Sequence, residues 1–572
     1  MNIKQKPRLS HDLIESIMLN RGIDNIQLYL NPTNENDTDL SQIPFINEAI
    51  ELIKKNIGKE ILILVDSDAD GNTSAAIIYK YLKYVNPFAK IRYFIHEHKT
   101  HGLTPQFMEH VEDTKPDLII VPDAGTNDIE QREKIISLGI DLLIIDHHNA
   151  DKHTSNGGIL INNQCDDNMN KNMTGAGMTY LVCKAMDKFA FNTGRIESLK
   201  DLAMIGIIGD CASLFENETR YLCMNALRNI ESKMIRTVVE ENKQDLDTVT
   251  FTNMQFGGII PLINSVVRIG TPEEKELMFK ALADIETDYF KIIEKRKLNK
   301  ETRKYEKVPF KFNIYQLAID AARGCRDRQN KIINNELKFA DEQFNPNAGI
   351  QIYIVQTDEC KPLTGLLANK LTSLWQQPVI VVWDLNGAYT GSLRGWEKSI
   401  PNLKKWCEET QLFRLVQGHD NAAGVVFELE NLEKIKKCTE NVKYEEYSIE
   451  VDNMYEGSAP ISDIYLINNN KELFRNGVVP PLFAVKNLLV TPQNAKWSKN
   501  TLRINMDGVT YIKFKVSEEE YTALIETPNC KINVVGTFDV NEWNGRQFPQ
   551  MQIEEYEVIY NEPSVIDFGI FA

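Results

Sequence analysis

Three aspartates follow a short apolar run near the start of the chain. The stretch 61-ILILVDSDADG-71 carries Asp66, Asp68 and Asp70, one residue apart, directly after five apolar residues. Carboxylates this close repel one another, and each resists losing its water. Divalent cations with oxygen ligands commonly use several carboxylates from one short segment. The spacing therefore indicates a cation site, although an acidic, solvated turn would show the same letters.

Two further apolar runs end in side chains of the same kind. The run 117-DLIIVPD-123 ends at Asp123, and the run 141-DLLIIDHH-148 ends at His147 and His148. Taken singly these signals are weak, since a histidine pair is more often structural than a metal ligand. Three apolar runs that all end in carboxylate or imidazole make a stronger case for one shared site.

Weaker signals come from three other segments. Asp210 ends the apolar stretch 201-DLAMIGIIGD-210, where it could equally be the polar end of a buried helix. The segments 391-GSLRG-395 and 417-QGHDNAAG-424 combine glycines with an arginine or a histidine. Glycine-rich turns can hold a phosphate through backbone N–H groups, but they are equally often plain loops.

The apolar runs predict the elements that position these side chains. Short runs with polar residues only at their ends are typical of parallel strands covered on both faces. We predict strands at 61–65, 118–121 and 142–145, and helices at 74–84, 105–111 and 128–137. In such sheets ligands bind beyond the carboxyl ends of the strands, where the aspartates and histidines fall.

The rest of the chain predicts further domains, because 572 residues are too many for one core. A second α/β segment has predicted strands at 350–355, 378–383 and 425–429. Residues 446–572 alternate polar and apolar positions in short strands, which is typical of a small β-barrel. Between these segments the pattern is long, helical and charged. Its basic part, 291–307, is interpreted as a solvated helix face more readily than as a phosphate contact.

Composition limits the class of protein. The chain is 42% hydrophobic and 25% charged, as in soluble globular proteins, and it has no apolar run of about 18 residues or signal-peptide core. Nine cysteines without a CxxC pair argue against disulfides and structural zinc and favour a reducing cytoplasm. A net charge of −17 argues weakly against a nucleic-acid partner, since a metal centre and a local basic groove can still bind phosphates.

The order of these motifs resembles that of the DHH phosphoesterases, and within that superfamily the RecJ single-strand-specific DNA exonucleases. The likeness runs nearly end to end, for example at 20-NRGIDNIQLYLNP-32 and at 365-GLLANKLTSLWQQPVIVVW-383. It implies four parts: a DHH domain at 1–275, a helical connector at 276–345, a DHH-associated substrate-binding domain at 346–445 and an OB-like β domain at 446–572.

The resemblance also implies a cofactor, two divalent cations, either Mn²⁺ or Mg²⁺. Asp68 and Asp70 would each bind one cation, and Asp123 would bridge both. His147 would be a ligand, and Asp210 would complete the second site.

Further roles implied by the resemblance concern the substrate. His148 would contact the scissile phosphate or support the metal ligands, and Asp66 matches the first acid of the motif. Residues expected to hold the phosphate of the terminal nucleotide are Lys370, Ser392, Arg394, Gly418 and His419.

The chain departs from the family pattern in several places. Many DHH phosphatases have a histidine four residues before the first metal-binding aspartate, where this chain has Leu64. The first cation would then need another ligand, such as Asp66 or water. Gly395 and Gln417 stand in positions that are usually serine and glycine, and Lys370 replaces a common arginine.

The expected function is a two-metal exonuclease that removes 5′ nucleotides from single-stranded DNA in recombination, repair or replication. It would be a monomer without membrane contact, and a single-strand-binding protein or helicase would be its partner. The alternatives are a phosphodiesterase for short oligonucleotides or cyclic dinucleotides, and a non-catalytic DNA-binding scaffold. Aromatic candidates for base stacking in the β domain, at least half of them expected to be core, are Trp497, Tyr511, Phe514, Trp543 and Phe548.

Overall fold

The structure of the protein is a computed structural model that describes most of the chain. The described residues are 1–35, 37–97, 100–150, 157–298, 303, 305–396, 399–440, 442, 448–474, 476–543 and 546–559. They divide into two compact units. The larger unit comprises Asn34–Ala212 and Glu218–Glu445, and the smaller one comprises Met1–Thr33, Ser213–Asn217 and the described part of Glu446–Ala572. The four domain ranges expected from the sequence stay a prediction.

A five-stranded parallel sheet forms the centre of the first half of the larger unit. In spatial order its strands are Lys90–Ile95, Glu60–Val65, Leu118–Pro122, Asp141–Asp146 and Ile159–Asn162. The three strands expected from the apolar runs are confirmed, and Glu60–Val65 and Leu118–Pro122 are buried along almost their whole length. The two outer strands were not expected, because Lys90–Ile95 mixes polar and apolar residues and Ile159–Asn162 has only four residues.

Helices cover both faces of this sheet and continue through the rest of the chain. The three helices expected between the strands are confirmed, although the first begins at Ala69, inside the aspartate motif. The α-helices are Leu13–Leu19, Ile26–Leu30, Ile46–Asn56, Ala69–Val85, Pro105–Thr114, Ile129–Ser137, Gly175–Met186, Lys200–Gly209, Asn217–Arg228, Lys233–Glu241, Phe251–Gln255, Ile259–Ile269, Pro272–Leu282, Ile314–Glu336, Ala340–Gln343, Thr364–Trp375, Leu403–Thr410, Leu432–Glu440, Ile461–Asn469 and Glu518–Glu526.

A second five-stranded sheet lies in the second half of the larger unit. In spatial order its strands are Leu415–His419, Ala422–Glu428, Ala388–Arg394, Val379–Leu385 and Gln351–Ile354. Only the last pair is parallel. The glycine-rich segments at 391–395 and 417–424, which were interpreted as turns, are therefore mostly strand, because their small residues alternate with Leu393, Ala423 and Val425 of the core.

The prediction of a helical connector was wrong at its basic part. Two strands, Phe290–Leu298 and Tyr305–Asn313, form an antiparallel hairpin there, and the predicted helical pattern holds only from Ile314 onward. The segment 308-VPFKF-312 alternates apolar and polar letters with the period of a strand. Pro309 would also break a helix, because it has no N–H for the i→i−4 hydrogen bond.

The smaller unit contains a seven-stranded sheet. In spatial order its strands are Asn453–Glu456, Phe483–Leu489, Lys531–Trp543, Arg546–Ile559, Val509–Phe514, Thr501–Met506 and Ala495–Ser498. Most neighbours are antiparallel. A short parallel pair, Ile3–Gln5 with Ile449–Val451, joins the N-terminal segment to this unit. Across the described residues, we find no helix with the length and apolar character needed to cross a membrane.

The aromatic candidates of the β domain separate into core and surface. Tyr511 is fully buried, and its hydroxyl accepts a hydrogen bond from the backbone N–H of Ala459. Trp497 is half-buried and donates to the carbonyl of Val516. Phe514 and Phe548 are 48% and 44% exposed. The side chain of Trp543 lies outside the described part of the structure.

Candidate metal centre

The aspartate motif spans the end of a strand and the start of a helix. Asp66 follows the buried strand Glu60–Val65, and Asp68 is the N-cap of the helix Ala69–Val85. One carboxylate oxygen of Asp68 accepts a hydrogen bond from the N–H of Gly71 at 2.9 Å. The motif therefore places its acids at a helix N-terminus, where the helix dipole stabilises negative charge.

Asp70 is held by the N-terminus of a second helix, Gly175–Met186. Its carboxylate accepts hydrogen bonds from Thr174 Oγ1 at 2.8 Å and from the N–H groups of Gly175 and Ala176 at 2.8 and 3.0 Å. A Cβ on Gly175 would come within 2.4 Å of the side chain of Asp123, so no larger residue fits between the two acids. This helix start thus brings Asp70 and Asp123 together.

Asp123 is in a strained backbone conformation. It follows the strand Leu118–Pro122 with φ of 68°, in the left-handed region that non-glycine residues seldom adopt. Its N–H donates to the carbonyl of Ile145 at 2.7 Å. His147 Nε2 lies 3.2 Å from its Oδ1, without the geometry of a hydrogen bond, and this buried oxygen has no hydrogen-bond partner among the described residues. A buried carboxylate oxygen left in this way is a candidate ligand for a cation.

The two histidines after the strand Asp141–Asp146 have opposite environments. Asp146 accepts hydrogen bonds from the N–H groups of His147 and His148 and from Nδ1 of His148 at 2.7 Å. This hydrogen bond raises the pKa of His148 to about 9. Burial lowers the pKa of His147 below its ordinary value, although the charge of Asp70 opposes this. His147 is therefore neutral near pH 7, which is the form that binds metals.

The carboxylate cluster, which we define as Asp66, Asp68, Asp70, Asp123 and Asp210, repels itself. Burial raises the pKa of Asp123 well above its ordinary value, and the charges of Asp70 and Asp68 raise it further. Burial and the charges of Asp66 and Asp70 likewise raise the pKa of Asp68. Asp210, the C-cap of the helix Lys200–Gly209, has its pKa raised to about 7 by desolvation and by the charges of Asp70 and Asp68.

The structure places His147 Nε2 3.7 Å from Asp70 and 3.2 Å from Asp123, and Asp210 is near enough for the charges of Asp70 and Asp68 to raise its pKa. Two groups have ligand atoms that all lie within 4.8 Å of one another, namely Asp123 with His147 and His148, and Asp66 with Asp68 and His101. Oxygen-rich sets with an imidazole fit Mn²⁺, and the carboxylates alone fit Mg²⁺. The orphaned oxygen of Asp123 and the mutual repulsion of the cluster fit bound cations as well.

His101 was not expected from the sequence. Its Nδ1 lies 2.6 Å from Oδ2 of Asp66, and the N–H of Gly102 donates to Oδ1 of the same carboxylate at 3.1 Å. Leu64, at the position where many DHH phosphatases have histidine, is fully buried in the core of the sheet. The sequence would have indicated His101 as a histidine that follows the strand Lys90–Ile95, but the sequence analysis did not predict that strand.

Arg268 was also missed. It lies on the helix Ile259–Ile269, and burial lowers its pKa while the charge of Asp68 opposes this. Burial and the charge of Arg268 in turn lower the pKa of Arg394. Two half-buried guanidinium groups that repel each other beside the cluster favour an anion between them, and phosphate is the anion that arginine pairs with most specifically.

The other expected phosphate contacts lie on the second sheet. Arg394 and His419 both pair with Ala422 on either side, so their side chains leave the same face of the sheet. Ser392 bonds Thr364 at the start of the helix Thr364–Trp375, with 2.9 Å between the hydroxyl oxygens.

Gly418 and Lys370 complete the expected set. Gly418 precedes His419 and has φ of 134°, and its carbonyl accepts a hydrogen bond from Lys404 at 3.2 Å. Lys370 is exposed and lies six residues beyond Thr364, about 9 Å along the helix axis. The binding roles of all these residues stay predictions.

Comparisons with known proteins show which families and proteins this chain is similar to. The family model for the N-terminal domain of the DHH family matches residues 60–207, and the model for the RecJ OB domain matches residues 465–555. The chain is 30% identical over 585 residues to an SPbeta prophage-derived protein of Bacillus subtilis named as a single-strand DNA-specific exonuclease. That match covers 97% of this chain and 98% of the relative.

More distant relatives share the architecture. The single-stranded-DNA-specific exonuclease RecJ of Bacillus subtilis is 22% identical over 575 residues, which cover 96% of this chain and 68% of RecJ. The crystal structure of RecJ in complex with Mn²⁺ from Thermus thermophilus has a TM-score of 0.71 at 19% identity, covering 96% of this chain and 76% of that one. The fold, the motifs and these matches together establish that this chain belongs to the RecJ family of DHH single-stranded-DNA-specific exonucleases.

Proposed function

We propose that the protein is a metal-dependent exonuclease that removes nucleotides from the 5′ end of single-stranded DNA. The observation that carries the proposal is the pair of carboxylate and imidazole groups beyond the carboxyl ends of the parallel strands, with a buried oxygen of Asp123 left unpaired. Two divalent cations bound there would lower the pKa of a water between them and neutralise the phosphate oxygens.

The proposed ligands follow from the donors at that edge. Asp68 and Asp70 would each hold one cation, with Asp123 between both. His147, held neutral by burial, would add a nitrogen donor, and Asp210 would complete the second position. The N-termini of two helices keep Asp68 and Asp70 oriented, so the protein loses little freedom when cations bind.

His148 would serve the reacting phosphate. Its Nδ1 is fixed by Asp146, which leaves Nε2 as the free ring nitrogen. Because its pKa is raised to about 9, the ring carries a proton at neutral pH and can donate to a phosphate oxygen. Asp66, whose carboxylate contacts His101 and Gly102, would add a ligand to the cation held by Asp68.

Substrate binding would use two kinds of surface. Arg268 and Arg394 would hold the terminal phosphate, with Ser392, Gly418, His419 and Lys370 around it. In the smaller unit a cavity of about 610 Å³ is lined by Trp497, Lys499, Phe514 and Lys515 among others. Aromatic rings beside lysines suit the stacked bases and phosphates of a single strand.

A nuclease assay on the full-length protein tests this proposal. With Mn²⁺, we expect 5′-labelled single-stranded DNA to lose its label as a mononucleotide, while blunt duplex DNA, linear dinucleotides and cyclic dinucleotides react much more slowly. A preference for dinucleotides would instead support a small-substrate phosphodiesterase. Absence of any cleavage, with strand binding retained, would support a non-catalytic scaffold.

An Asp123→Asn variant isolates the metal centre in the same assay. Asparagine tolerates the left-handed backbone at this position, so the fold should survive. We expect turnover to fall by about 10³-fold or more, since the residual activity of an enzyme without its central catalytic group is small. Binding of the strand should persist. The matched control is Asp117→Asn. Asp117 directly precedes the strand Leu118–Pro122, and its carboxylate is exposed.

The biological setting is part of the proposal. Removal of nucleotides from single strands serves recombination, repair and replication, in which a single-strand-binding protein or a helicase would supply the substrate. All nine cysteines are free thiols, which suits a reducing cytoplasm. We propose that the protein acts there as a monomer.

A further inference from the structure

We propose that His101 is a nitrogen ligand of the cation held by Asp66 and Asp68, and that it makes this position prefer Mn²⁺ to Mg²⁺. The inference rests on the metal centre of the proposed function and adds a residue that the motif order did not indicate.

The position of the ring fits a shared cation. Ligand atoms of Asp66, Asp68 and His101 all lie within 4.8 Å of one another. On one octahedral cation with bonds of ~2.1 Å, adjacent ligands lie ~3 Å apart and opposite ligands ~4.2 Å apart. A cation can therefore contact all three side chains after small side-chain movements. The ring is 52% exposed, so it leaves room for water or substrate on its outer side.

The loop that carries His101 is anchored at both of its ends. Lys275, which is only 5% exposed, donates from Nζ to the carbonyls of His96 and Glu97 at 3.1 and 2.7 Å. After His101, the N–H of Leu103 donates to Asp128 at 2.8 Å. These contacts hold the backbone before and after the histidine, and a positioned backbone favours metal ligation.

Gly102 brings the same loop directly against the aspartate motif. Its φ is +72°, and a Cβ there would lie 2.3 Å from Oδ2 of Asp128. Its N–H donates to Oδ1 of Asp66, while Nδ1 of His101 contacts Oδ2 of the same carboxylate. The backbone thus fixes one oxygen of Asp66 and the imidazole lies at the other, on the side of Asp68.

The donor type sets the metal preference. Mg²⁺ binds almost entirely through oxygen, whereas first-row transition ions accept imidazole nitrogen readily. The group of Asp123 and His147 already has one imidazole. With His101, each of the two cation positions has a nitrogen donor. A protein of this design loses affinity for Mg²⁺ relative to Mn²⁺ at both positions.

The test is Mn²⁺ and Mg²⁺ titration of the metal-free, full-length protein by calorimetry, together with pulsed EPR of the Mn²⁺ form labelled with ¹⁵N-histidine. For wild type we expect two Mn²⁺ ions and histidine nitrogen couplings on both. In His101→Ala one of the two Mn²⁺ affinities should fall by at least tenfold, the change expected when a supporting metal contact is removed. The Mg²⁺ affinity should change by less than threefold, and one coupling should disappear.

Two variants separate ligation from simple hydrogen bonding to Asp66. His101→Gln keeps a hydrogen-bond donor but not a good metal ligand, so its Mn²⁺ affinity should match that of His101→Ala. His101→Asp supplies oxygen, so Mg²⁺ binding should be retained while the preference for Mn²⁺ is lost. Exposed His11 in the smaller unit provides the control His11→Ala. Wild-type Mn²⁺ affinity and couplings in His101→Gln would overturn the proposal.

Failure of this inference can be told apart from failure of the proposed function. If wild type cleaves single strands but His101→Ala binds two Mn²⁺ ions normally, only the role of His101 is wrong. If Mn²⁺ binding depends on His101 but wild type cleaves no single-stranded DNA, the role of His101 stands and the proposed function is wrong.

Discussion

Two buried carboxylates in the larger unit show how differently a protein can treat the same group. Glu336 is fully buried and accepts hydrogen bonds from the hydroxyls of Tyr353 and Thr357 and from the N–H groups of Gln356 and Thr357. Asp123 is 2% exposed, lies among other acids and has one oxygen without a hydrogen-bond partner. Both carboxylate oxygens of Glu336 are hydrogen-bonded within the protein, whereas one oxygen of Asp123 is left to bind a ligand such as a cation.

The number of hydrogen-bond partners distinguishes a buried carboxylate with a structural role from one that can bind a ligand. A saturated carboxylate stabilises the fold, and its loss leaves donors unpaired. A carboxylate that lacks hydrogen-bond partners and has like-charged neighbours destabilises the fold unless a cation binds to it. Four changes to the protein or its metal content test this contrast.

Metal binding should stabilise the protein strongly. At Mn²⁺ concentrations of about 100 times the Kd of each site, two sites that exist only in the folded state add about 5 kcal/mol to the free energy of unfolding. Urea unfolding with EDTA and with Mn²⁺ measures the difference. If the two curves coincide, the carboxylate cluster does not bind cations.

Removal of the saturated carboxylate should destabilise the fold. In Glu336→Ala the hydroxyls and N–H groups that contact Glu336 lose a charged acceptor, and we expect the free energy of unfolding to fall by about 3 kcal/mol. Urea unfolding in EDTA measures this change, and the exposed Glu359→Ala is the control. The stabilisation by Mn²⁺ should remain as in wild type. A neutral result for Glu336→Ala would contradict the contrast with Asp123.

Neutralising the unsaturated carboxylate should act in the opposite direction. Metal-free Asp123→Asn removes an acid that Asp70 and Asp68 repel whenever it ionises, and asparagine suits the left-handed backbone. We expect an increase of about 1 kcal/mol in the free energy of unfolding, the usual size of a single-substitution effect. Thermal unfolding in EDTA measures it. A decrease comparable to that of Glu336→Ala would show that Asp123 is needed for folding.

The stability of the metal-free protein should fall as pH rises from about 4 to about 7. The pKa of Asp210 is about 7 in the folded protein and 3.8 as its ordinary value, so between these values the folded state keeps a proton that the unfolded state has released. Unfolding then releases protons, and stability decreases with pH. Because Asp210 is partly exposed and screened, we expect about 1 kcal/mol. In wild type with Mn²⁺, or in Asp210→Asn, thermal unfolding should show a smaller decrease.

Much of the metal centre could be predicted from the sequence. Asp66, Asp68, Asp70, Asp123 and His147 each follow an apolar run, and a short buried run in an α/β pattern forms a parallel strand whose carboxyl end faces its neighbours. Local order along the chain therefore determined which acids would meet. The same reasoning failed for residues 291–307. Their many charged residues obscured the alternating pattern of a strand, and the strand is stabilised by pairing with the second strand of the hairpin.

The sequence by itself determined the strands, the acids at their ends and the likeness to the RecJ exonucleases. The tertiary structure was needed to show that His101 contacts Asp66, that the helix start at Thr174 holds Asp70 and that the charge of Arg268 acts on Arg394. These contacts join residues between 35 and 126 positions apart along the chain. They depend on strand order and on helix packing against the sheets, and no local pattern of letters encodes either of these.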